Sequence, residues 1–117
     1  MTAIAAPDLP AAADAIDLAD RVVGKAVRGL ATAGGPDQHQ VLAYDIAHAA
    51  SGVATARSLL DYGAKGEVEA KITCAFAADM LHDLAGKILG REEAWGVDRD
   101  ALTNVHAFVA QFRAPEF

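Results

Sequence analysis

Apolar residues recur along this chain at steps of three and four, the spacing that lines one face of a helix. Leu42, Ile46, Ala49, Val53, Ala56 and Leu60 make one such stripe. Val68, Ile72, Phe76, Met80, Leu84 and Ile88 make a second, at steps of four, widened by Ala75, Leu81, Ala85 and Leu89. Between them Gly63-Ala64-Lys65-Gly66 is long enough only to reverse direction, so these two helices should lie antiparallel, with Phe76 and Met80 in the core between them. Upstream, Asp8 followed by Leu9-Pro10 reads as a capped helix start. Ile16, Ala19, Val23, Ala26 and Leu30 form the seam of that first helix, and Asp17 and Arg21 have the spacing of a favourable ion pair. Gly34-Gly35-Pro36 ends it, and Gly35 or Asp37 should cap the next. Downstream of Gly90, a polar connector containing Trp95 leads to Asp98 or Asp100 as a cap. Leu102, Val105, Val109 and Phe112, with Phe108 beside them, then give a fourth stripe that Pro115 stops.

The pattern predicts an all-α domain of four helices, about 8–33, 37–62, 66–90 and 99–112, in an antiparallel up-down four-helix bundle. A length of 117 residues allows one domain with a modest core. Composition sharpens this: 53% of residues are hydrophobic and 22% charged, as in globular chains. Much of the apolar count is alanine, which favours helices and lets them approach closely. Gly52 inside the second helix is unfavourable by about 1 kcal/mol relative to alanine. Close approach of a neighbouring helix would explain it.

The net charge of −6 leaves no basic stripe for a nucleic-acid partner. No run approaches the length of a membrane span. Residues 1–7 lack the basic start and apolar run of a secretory leader and should form a frayed terminus. The lone Cys74 has no disulfide partner in the chain and suits a reducing, cytoplasmic setting, as a small buried hydrophobe.

Candidate chemistry is sparse. No nucleophile–base pair, phosphate-cradling loop or cysteine cluster stands out. Asp45-Ile-Ala-His48 and Asp79-Met-Leu-His82 both read D-x-x-H, and folding the hairpin about residues 63 and 64 sets them at one height. Twin E-x-x-H motifs at matching height build carboxylate-bridged di-metal bundles. Here the carboxylates are one methylene shorter, and helices one and four offer no facing glutamate. Asp45 and His48 also fall beside their apolar stripe. An interhelical polar contact is therefore expected at these four residues, not a metal site. His39 and His106 should lie on the surface. Glu67, Glu69 and Lys71 read as a solvated face and an acidic first turn. Trp95 either closes the end of the bundle or anchors a partner.

Three segments carry a family resemblance: Ala56-Arg57-Ser58-Leu59-Leu60-Asp61-Tyr62, Glu69-Ala70-Lys71-Ile72-Thr73-Cys74-Ala75-Phe76-Ala77, and Ala85-Gly86-Lys87-Ile88-Leu89-Gly90. In order and spacing they resemble the C-terminal helical domain of acyl-CoA dehydrogenases. Together with Asp17-Leu18-Ala19-Asp20-Arg21, Tyr44-Asp45-Ile46-Ala47-His48-Ala49-Ala50 and Leu60-Asp61-Tyr62-Gly63-Ala64-Lys65-Gly66, they look most like the N-terminal helical extension of the methylsuccinyl-CoA dehydrogenases of the ethylmalonyl-CoA pathway. The resemblance implies a parent flavoprotein that uses FAD to dehydrogenate an acyl-CoA across its α,β carbons. It also implies a catalytic portion beyond Phe117, docked on these helices, and a homo-oligomer. After Gly90 the chain runs Arg91-Glu92-Glu93-Ala94-Trp95, where the family has further glycines and an aromatic residue. None of its residues matches the family's flavin contacts or catalytic base. The resemblance therefore assigns no catalytic, cofactor-binding or metal residue here, and the segment alone should be an inactive accessory domain. A free-standing helical interaction or dimerisation module is the rival expectation.

Overall fold

The computed structural model describes residues 5–117; the first four residues of the expected frayed terminus lie outside them. Among the described residues the fold is all-helical. Three long helices, α1 (Leu9–Thr32), α2 (Gln40–Gly63) and α3 (Glu67–Ile88), are followed by a one-turn α4 (Glu92–Trp95) and by α5 (His106–Phe112), which a 3-10 turn at Thr103–Val105 introduces.

The first helix forms as its sequence dictates. The Asp8 carboxylate accepts the Ala11 N–H at 2.9 Å, satisfying one of the free donors of the first turn. At the other end Gly34 and Gly35 hold φ at 117° and 80°, and the Gly35 N–H reaches back to the Leu30 carbonyl. Only glycine takes up that left-handed exit without strain. Ile16, Ala19, Val23, Ala26 and Leu30 are all buried, as the seam predicts. The Asp17 carboxylate, however, meets a different arginine from the one its spacing indicated. Arg57 of α2 sits 3.0 Å from Asp17 and 3.2 Å from Asp20, tying α2 to α1.

Helix α2 starts later than expected. Pro36 opens a turn in which its carbonyl accepts the His39 N–H, so His39 and neither Gly35 nor Asp37 precedes the first helical residue. Ile46, Ala49, Val53 and Ala56 are buried and Leu42 and Leu60 partly so, confirming the stripe.

Helix α3 corrects the pattern. Its buried residues are Ala70, Thr73, Cys74, Ala77, Ala78, Met80, Leu81, Leu84 and Ile88. Val68 and Ile72, assigned to the core stripe by spacing, are 64% and 46% exposed, and Phe76 is only partly buried. A step of four residues overshoots a full turn by about 40°, so a strict four-residue row winds off any one face within a few steps. The face that stays buried runs Ala70, Cys74, Ala77, Leu81, Leu84 and Ile88, alternating four and three.

Helix α1 packs across both α2 and α3, and those two pack on each other; α5 covers the other flank of α3 and touches α1. The close helix approach expected at Gly52 is to a side chain, and the tighter approach is at Gly63, where α2 ends. A Cβ on Gly63 would lie 2.7 Å from the Thr73 hydroxyl and 2.9 Å from Leu9 Cδ2, whereas one on Gly52 would meet only the Met80 side chain, at 3.1 Å. Thr73 itself is buried, with its hydroxyl 3.0 Å from the Leu59 carbonyl and 2.9 Å from that of Glu69.

A fourth helix over 99–112 does not form. Asp98, Asp100, Thr103 and Asn104 crowd its first half, and such side chains compete with helical backbone bonding. The backbone there closes successive turns, Asp98 to Ala101 and Asp100 to Thr103, before α5 begins. Leu102, Val105, Phe108 and Phe112 are nevertheless buried and Val109 partly so, so the fourth stripe does its packing through shorter pieces. The rings of Phe108, Phe112 and Phe117 pack edge to tilted face, with centroids 4.8 and 4.9 Å apart.

Candidate docking surface

The twin D-x-x-H motifs are placed at one height by the hairpin, but their side chains do not converge. Asp45 accepts from Arg91 at 2.9 Å, and Asp79 accepts from Arg113 at 2.9 Å. His48 stacks on Tyr44 and lies 3.8 Å from Asp83, which in turn holds Lys87 at 2.7 Å. His82 turns to the opposite flank of α3, where it lines an apolar cleft with His106, Leu102 and Val105. Among the described residues no three His, Cys, Asp or Glu side chains form a group that could hold a metal ion. The expected polar contact between helices two and three exists, but it joins His48 to Asp83 rather than to Asp79 or His82.

The remaining titratable groups are occupied structurally. His39 Nε2 donates to the Ala33 carbonyl at 3.0 Å, bracing the α1–α2 turn, and His106 is exposed. Cys74 is fully buried and its sulfur accepts the Asp8 N–H at 3.3 Å. Burial pushes its thiol above the ordinary value of 9.0, outweighing that hydrogen bond, and the nearby Asp8 charge pushes the same way. A thiol held neutral in this way is a packing element, as the sequence indicates. Trp95 is completely buried, which favours closing the bundle over anchoring a partner; its indole N–H finds no partner among the described residues. A wide recess of about 860 Å³ lies nearby, between Leu30, His39, Leu42, Arg91 and Glu92. Two of its polar side chains, His39 and Arg91, are already bonded to the protein.

What remains open is the outer face of the α2–α3 hairpin, the side away from α1. A groove of about 320 Å³ runs there, floored by Ala49, Gly52, Met80 and Leu84 and edged by His48, Ser51, Thr55, Phe76, Asp79 and Asp83. Nearer the turn, Val68 and Ile72 of α3 are exposed as well. Val41, Tyr44 and Tyr62 of α2 are also exposed, at 66%, 70% and 37%. Most of the large apolar side chains left in solvent therefore belong to this hairpin. No helix among the described residues is long and apolar enough to cross a membrane. Contiguous exposed apolar surface of this kind occurs at protein and ligand interaction sites and at aggregation-prone patches. Sequence reasoning missed it because it assigned Val68, Ile72 and Phe76 to the core.

No protein-family model, no curated protein and no solved structure matches this chain.

Proposed function

We propose that this chain is a non-catalytic helical packing module, and that the protein to which it contributes is a FAD-dependent acyl-CoA dehydrogenase of the methylsuccinyl-CoA type, acting in the cytoplasm. In this reading its helices form an up-down bundle akin to the C-terminal domain of that family, and they support the catalytic portion and the oligomer. The parent's flavin and acyl-CoA are bound elsewhere. The single observation that carries the packing role is the uncovered apolar face of the α2–α3 hairpin, beside titratable groups already engaged with one another. The dehydrogenase assignment is supported by the sequence resemblance.

The test is flavin absorbance and acyl-CoA oxidation with an artificial electron acceptor. It is run on the natural gene product containing these residues and on the 117 residues alone. Flavin and activity in the first, with neither in the second, are expected. A gene product without flavin would contradict the dehydrogenase reading and leave the rival, a free-standing interaction module, which the same exposed face supports. Stoichiometric FAD on the 117 residues alone would contradict the packing role.

A further inference from the structure

We draw no further inference here: the strongest candidate, the apolar cleft of about 330 Å³ between α3 and α5 edged by His82 and His106, adjoins Glu92, Asp98 and Arg99 and so meets both signs of charge, and nothing in the structure shows what covers it.

Discussion

Helices α1 and α3 have nearly the same length and opposite legibility. On α1, apolar residues occupy one face, and Asp17, Arg21, Lys25 and Arg28 mark the other, so the buried seam can be read off the sequence. On α3, apolar residues occupy two faces. One is the sealed line of alanines, Cys74, Leu81, Leu84 and Ile88; the other is the exposed line of Val68, Ile72 and Phe76. The larger side chains near the start of α3 are on the outside, and small ones are on the inside where α1 and α2 press close. Size and hydrophobicity therefore mislead about which face is the core. The lesson is that an inner face is chosen by how closely neighbours approach, and hydrophobicity alone does not mark it.

That contrast can be broken by mutation. The largest effect should come from the inner face: Leu84→Ala should lower stability by about 2–5 kcal/mol, read from urea unfolding, because a fully buried side chain leaves a cavity. Phe76→Ala, on the half-exposed line, should cost clearly less than Leu84→Ala despite removing more atoms. Equal losses would return Phe76 to the core. Next come the two glycines of α2. Gly63→Ala should destabilise by about 1–3 kcal/mol, since its Cβ would overlap the Thr73 hydroxyl and Leu9. Gly52→Ala should be close to neutral, because a helix-propensity gain of about 1 kcal/mol offsets a contact that the flexible Met80 can relieve. A reversed order would refute the account of the turn.

Loss of the Asp8 cap in Asp8→Ala should cost about 1 kcal/mol. Smaller still is the contribution of Cys74. Its thiol is held neutral in the folded state, with a pKa above 9.0, while the unfolded thiol ionises near its ordinary value. Stability from this group is therefore complete below the ordinary thiol pKa and falls as pH rises past it, toward the folded value. Comparing unfolding of wild type and Cys74→Ala above and below that pH should show the wild type losing more. Zinc, manganese or ferrous iron should leave the melting temperature unchanged. A ligand bound to the folded state at a hundredfold excess over its dissociation constant would add about 2.7 kcal/mol. A metal-dependent rise abolished by His48→Ala and by His82→Ala would overturn our placement of those side chains.

How far the sequence carried the fold can be seen residue by residue. Periodicity and caps located the three long helices to within a few residues, and the stripes of α1 and α2 were read in correct phase. The fourth element was placed but not resolved. Its apolar residues are buried as expected, while Asp98, Asp100, Thr103 and Asn104 favour turns over a continuous helix, a signal that was present in the sequence. The candidate site was harder. An i,i+3 spacing does put Asp45 beside His48 and Asp79 beside His82, but rotation of α3 decides which flank each side chain faces. The arginines that take the two aspartates, Arg91 and Arg113, come from segments 46 and 34 residues away. Nothing local in the chain indicates those partners.

The central claim is that α3 holds the fold with one face and leaves Val68 and Ile72, on the other, outside the core. It is tested most directly by measuring urea unfolding on one pair of variants. Leu84→Ala should lose about 2–5 kcal/mol of stability, and Ile72→Glu, at a half-exposed position, should unfold much like the wild type. If Ile72→Glu instead destabilises the chain as much as Leu84→Ala does, the two faces do not differ in this way.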